Sequence, residues 1–178
     1  MHMQHLSICL STRRREKTLG FTQADGKLVL DVVQAGHVAA LLGEHAKQQR
    51  LQLVILNGCE SLDLGQKCLA HGVPAVVCWS TRVPDEAAYL FVRGFFSKLA
   101  ADNNYGQDDA YQSAFLAGRA AVTAVTRRVL AADGSVQNEE VPYFELKDPR
   151  QGRRLANGRF AGGIPKLLPE PVVPDWDA

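Results

Sequence analysis

The stretch LQLVILNGCES, residues 51–61, sets an apolar run of Leu, Val and Ile directly against Asn57-Gly58-Cys59-Glu60-Ser61. A run of that length, bounded by small and polar residues, reads as a buried strand of a parallel sheet, and ligands of open α/β sheets collect at the carboxyl ends of such strands. Cys59 falls at that end. Gly58 carries no side chain beside the thiol, so another backbone or a substrate can approach it. The helix predicted to follow aims a positive N-terminal end towards the sulfur, which favours a thiolate. Cys59 therefore differs from a cysteine set inside a helix or strand. Glu60 and Ser61 either orient its loop or merely start the next helix.

Outward from this strand, residues 64–71 read as a short helix closed by Gly72, the usual residue at a left-handed helix end, with Pro74 marking the exit. Residues 75–79, AVVCW, form a second continuous apolar run. Strand, helix and strand with so short a connection predict a right-handed parallel crossover. Upstream, residues 38–46 have helical composition, with Leu41 and Leu42 as the expected buried stripe. Before them, the short apolar runs 18–22 and 27–31 flank Gln23-Ala24-Asp25-Gly26, and Asp-Gly between such runs is a hairpin signal.

Downstream the pattern turns helical. Pro84-Asp85-Glu86 suits a first helical turn, since proline is pre-set for it and acids offset the unpaired amides there. Ala87, Leu90, Phe91, Phe95 and Leu99 then recur at three- and four-residue spacing over 85–99, a face expected to lie on the sheet. Asn103-Asn104-Tyr105-Gly106 breaks the pattern. Residues 109–130 read as a long helix whose Ala114, Gly118, Ala121 and Val125 make a small-residue stripe. Residues 141–146 read as an edge strand, with Pro142 near its end. Glycine, proline and arginine dominate beyond Asp148, which predicts a flexible tail over 148–178 that includes Trp176, after a domain spanning 1–147.

With 178 residues, 46% of them hydrophobic, the chain can build one globular core. The net charge of +1 gives no electrostatic footprint for nucleic acid, and the single basic cluster, Arg13-Arg14-Arg15, has no interleaved aromatics and reads as a solvated loop. No apolar run approaches a membrane span, and the opening MHMQHLSICLS lacks the layout of a signal peptide, so a cytoplasmic setting with no membrane partner is expected. Cys9, Cys59, Cys68 and Cys78 form no CxxC pair, hence neither a disulfide framework nor a metal site or cofactor is predicted. Cys68 on a helix and Cys78 in a strand read as small buried hydrophobes. His37, His45 and His71 fall near predicted helix ends, where a histidine meets the C-terminal dipole or is simply solvated.

ILNGCES, then AVVCWSTRVPDEAA, then LFVRGFFSKLA and an alanine-rich helix together resemble the CHAT domain, a caspase-like module often attached to TPR repeats. The order and spacing match over residues 18–130. The resemblance implies an α/β, three-layer caspase-like fold with a small, mainly parallel sheet flanked by helices. It also implies that Cys59 occupies the nucleophile position of caspase-like cysteine peptidases, the group that includes separases, with a peptide or protein as substrate of an active form. Asp85 either shapes an acidic specificity pocket or caps its helix.

The chain departs from that family at the general base, which is the second histidine of an H-F-S-G-H-G-like segment. Here the corresponding segment is His5-Leu6-Ser7-Ile8-Cys9-Leu10. In an ungapped match His5 takes the first histidine's place and Cys9 that of the base; a shifted match makes His5 the base. The glycines of that loop, whose backbone helps bind the oxyanion, are absent as well. The family's first strands and helices have no counterpart before Met1. The expectation is a domain incomplete at its N-terminal side, weakly active or inactive alone, with a partner protein able to cover the open sheet edge. A non-catalytic scaffold or signalling module is the alternative. A third reading, an isochorismatase-like cysteine hydrolase, lacks the expected order of Asp and Lys.

Overall fold

The computed structural model describes residues 18–21, 31–102, 108–130 and 136–170. Its elements run β1 (Thr18–Phe21), β2 (Asp31–Gln34), α1 (Ala35–Lys47), β3 (Leu53–Ile55), α2 (Leu62–Ala70), β4 (Ala75–Trp79), α3 (Asp85–Asp102), α4 (Asp108–Thr123), β5 (Thr126–Leu130), β6 (Val136–Pro142), β7 (Phe144–Glu145), a 3-10 turn at Pro149–Gln151, β8 (Phe160–Ala161) and β9 (Pro165–Leu168). This is an α/β chain. Its described residues pack as two compact units, one running to Trp79 and resuming at Lys166, the other spanning Ser80–Pro165.

The first unit is built on the sheet order β3-β4-β9. β3 and β4 are parallel, Leu53 opposite Ala75 and Ile55 opposite Val77, as the two apolar runs and their short crossover predict. All five residues of β4 are buried: it is the central strand, paired along both edges, and α2 packs against it. The donation from Leu56 N to Val77 O, 2.8 Å, carries the ladder one residue beyond β3 and fixes where the chain leaves the sheet. β1 and β2 pair antiparallel, Thr18 opposite Gln34, so the expected hairpin forms with its second strand later than 27–31. Its turn lies outside the described residues.

α1 differs from expectation in its phase. Its buried residues are Ala35, Ala39, Gly43 and Ala46, whereas Leu41 is 61% exposed; Leu42 packs at the edge of the core. Leu41 sits two residues from Ala39 and Gly43, roughly 200° around the helix. Small residues face inward because α1 packs closely on the end of α2: a Cβ at Gly43 would fall 2.7 Å from the Cβ of His71. α2 buries Leu64, Gly65 and Cys68 and ends at the C-cap His71, followed by Gly72 at φ +96°.

In the second unit α3 and α4 pack on each other. Ala87, Phe91, Phe95 and Leu99 are buried as their spacing predicts, while Leu90 is half-buried and Ala88 takes its place in the buried face. This face meets α4 in place of the expected sheet: a Cβ on Gly118 would come 2.9 Å from Phe91, and one on Gly94 would come 2.8 Å from Ala117 O. Phe91 also stacks on Phe95 and meets Phe115 edge-on, with centroids 6.1 and 5.7 Å apart.

The long helix expected over 109–130 stops at Thr123. Val122, Thr123, Val125 and Thr126 crowd β-branched side chains into five positions, and Thr123 Oγ1 turns back to Arg119 O and Ala120 O. The chain then continues as β5, antiparallel to β6. The edge strand expected over 141–146 is likewise split: β6 ends at Pro142, and β7 pairs parallel with β8.

The tail expected from Asp148 is also corrected. β8 and β9 are formed within it, and Ala161, Leu167 and Leu168 are buried, Leu168 in the core of the first unit. Strands of two and four residues among glycines and prolines are shorter than the window in which alternation becomes visible. Trp176 lies outside the described residues.

Candidate active site

Leu56 ends the ladder and Leu62 begins α2; between them Asn57-Gly58-Cys59-Glu60-Ser61 makes the turn at the carboxyl end of β3. Cys59 is the middle residue of the five and is half-buried. Glu60 adopts φ +53°, a left-handed conformation that costs a non-glycine residue roughly 1–2 kcal/mol and persists only where surrounding contacts impose it.

Those contacts come from both ends of the turn. Ser61 is 2% exposed; its Oγ donates to Leu56 O at 2.9 Å and accepts from Trp79 N at 3.0 Å. Trp79 Nε1 donates to Asn57 Oδ1 at 3.0 Å. The first and last residues of the Cys59 turn are therefore both bonded to the last residue of β4. Ser61 is also the N-cap of α2, yet its hydroxyl makes no capping bond, being committed to the strands instead.

The thiols differ by environment. Cys68 and Cys78 are fully buried, and burial pushes their pKa values up to about 11 and about 12; for Cys78 the neighbouring Cys68 adds to the rise. Both are structural, as read from their elements. Gly58, Glu60 and Ser61 stand together with Cys59 in the one turn. His71 lies at the far end of the nine-residue α2, roughly 13 Å of helix rise from its start. His37 and His45 lie in the first and last turns of α1. His5 and Cys9 lie outside the described residues.

Asp85 opens α3 in the second unit, where it and Glu86 supply the first-turn acids. It also lines a cavity of about 380 Å³ with Val83, Pro84, Tyr143, Arg153 and Phe160 among its walls, the rings of Tyr143 and Phe160 lying 4.9 Å apart. Among the described residues no group of three or more His, Cys, Asp or Glu could hold a metal ion, and no helix is long and apolar enough to cross a membrane.

Sequence reasoning missed Asn57 and the second role of Trp79. A signal was present: a tryptophan ending a fully buried strand needs an acceptor for its indole N–H, and Asn57 is the first polar residue at the end of the neighbouring strand.

A family model described as the CHAT domain matches residues 10–127, well over half of the chain. No curated protein and no solved structure matches it.

Proposed function

Since the chain belongs to the CHAT domain family, we propose that it is a caspase-type cysteine peptidase domain in which Cys59 is the nucleophile. The observation that carries this reading is the position of Cys59: half-buried in a constrained turn at the carboxyl end of a parallel strand, directly ahead of a helix. A caspase-like arrangement of layers belongs to the same proposal.

In the proposed reaction the Cys59 sulfur attacks the scissile carbonyl carbon, and the thiol proton passes to a base and then to the leaving amine. Water subsequently cleaves the acyl-enzyme. Backbone N–H groups at Gly58 and Cys59 receive the oxyanion. His5 is the proposed base. The departures around His5 reduce what it supplies, and general-base assistance is worth about a hundredfold to ten-thousandfold, so turnover by this chain alone is slow. Asp85, which lines its cavity together with Glu86, is proposed to shape an acidic specificity pocket.

The test is cleavage of a mixed peptide library by the purified chain, with Cys59→Ala, His5→Ala and Asp85→Asn controls. Slow cleavage that disappears in Cys59→Ala supports the assignment. Cleavage that survives Cys59→Ala overturns it, and robust cleavage abolished by both Cys59→Ala and His5→Ala overturns the slow-turnover reading.

One observation favours a second reading, a non-catalytic interaction module. Among the described residues β3 stands at the end of its sheet, a template to which a partner strand can add. Under this reading a protein partner binds Cys59→Ala as tightly as the native chain.

A further inference from the structure

We infer that Trp79 is a positioning residue for the nucleophile, acting through Asn57 and Ser61. The inference rests on the assignment of Cys59 above, but its geometry is independent of whether peptide is cleaved.

A five-residue turn has several backbone conformations open to it, and ordering each residue costs about 1–2 kcal/mol. Here that freedom is removed from outside the turn. Trp79 is fully buried and terminates the central strand, so its own position is set by β3 and β9 on either side. Its indole N–H holds Asn57, two residues before Cys59, and its backbone N–H holds Ser61, two residues after. The hydroxyl of Ser61 closes the loop onto Leu56 O, the residue from which the turn departs.

Two features indicate that the clamp serves the turn and not α2. Ser61 occupies the N-cap position, where a serine hydroxyl ordinarily accepts from a first-turn amide, and it forgoes that bond for Trp79. Glu60, between the thiol and the clamp, is held at φ +53°. A left-handed residue immediately after Cys59 bends the chain there, and the two bonds to Trp79 hold the turn that contains both.

Trp79→Phe removes the indole donor while keeping a buried ring and the backbone N–H, and Asn57→Ala removes its acceptor at an exposed position that a folded chain tolerates. Ser61→Ala removes the hydroxyl and Ser61→Thr restores it. The measurement is the rate at which iodoacetamide labels Cys59, followed by peptide mapping, with Cys68 and Cys78 as internal reporters of the intact core. One lost hydrogen bond makes an opened turn about two- to tenfold more populated, so Cys59 labelling in Trp79→Phe and Asn57→Ala rises by that factor, while Cys68 and Cys78 stay unlabelled. Ser61→Thr keeps the native rate. Where cleavage is measurable, kcat falls in Trp79→Phe and Asn57→Ala with KM unchanged, as expected when a nucleophile is misplaced without loss of substrate contacts.

Native Cys59 labelling in both Trp79→Phe and Asn57→Ala overturns the inference, as does equal labelling in Ser61→Ala and Ser61→Thr. A native chain that cleaves nothing would sink the peptidase reading alone, since labelling still reports on the clamp.

Discussion

Gly65 of α2 turns a bare Cα towards Cys78 of β4: a Cβ there would lie 3.0 Å from the Cys78 sulfur and 3.4 Å from Leu168 Cδ1. Helix and central strand approach this closely only because one of the pair lacks a side chain. Gly65→Ala is expected to lower stability by about 1–3 kcal/mol, the usual cost of overpacking a filled core, despite the better helix propensity of alanine. Urea denaturation measures it. Cys78→Ala vacates the space that the new methyl needs, so adding it to Gly65→Ala should recover part of the loss; additive effects would show that the two sites are not in contact.

The buried thiols make the fold sensitive to alkali. Burial raises Cys68 from an ordinary value of 9.0 to about 11 and Cys78 to about 12. Below pH 9 native and unfolded chains both keep these protons, and the stability is present in full. Between pH 9 and the raised values the unfolded chain ionises while the native chain does not, so each thiol costs roughly 1.4 kcal/mol of stability per pH unit. Urea midpoints measured from pH 8 to pH 10.5 should fall, and fall less steeply in a Cys68→Ala, Cys78→Ala double variant. Equal slopes in the two proteins would refute the linkage.

α1 ends in a left-handed turn made by the wrong residue. Gln49 lies at φ +59°, its N–H bonded to Ala46 O at 2.8 Å and the N–H of Arg50 to His45 O at 3.1 Å. This bonding pattern normally carries glycine at the position of Gln49. Gln49→Gly relieves about 1–2 kcal/mol of left-handed strain against about 0.5–1 kcal/mol of added freedom in the unfolded chain. The net expectation is a gain of up to about 1 kcal/mol, read as a higher urea midpoint with unchanged slope. Gly72, already glycine at the corresponding end of α2, should lose stability on replacement by alanine.

How much of this was legible in the sequence depends on the range over which each residue is decided. β4 is legible to its bounds because five consecutive buried residues write a continuous apolar run. The position of Cys59 followed from the end of a similar run. Leu41 breaks the pattern because α1 packs through alanines and glycine, so its largest side chains do not mark its buried face. β9 is not legible because a four-residue strand depends on a partner more than eighty positions away. The hydrogen bonds from Trp79 to Asn57 and Ser61 are likewise decided by the pairing of β3 with β4, which no local pattern records. The roles proposed for Cys59 and His5 come from the family resemblance, because periodicity places a residue on an element and says nothing of its chemistry.

The thiols should react in an order that follows their surroundings. Cys68 and Cys78 are fully buried, and the rise in their pKa values leaves each with a negligible thiolate fraction at neutral pH. Cys59 is half-buried in a turn at the end of a strand, so opening of that turn alone exposes it to reagent. At limiting iodoacetamide and pH 7.5, Cys59 should therefore be alkylated well before Cys68 or Cys78, and the latter two only at the rate of global unfolding. Urea below the unfolding midpoint separates the two routes: it should accelerate Cys68 and Cys78 steeply and together, because both report one cooperative core, while Cys59 responds weakly. Labelling of Cys68 or Cys78 ahead of Cys59 in native buffer would contradict the burial that places them in that core.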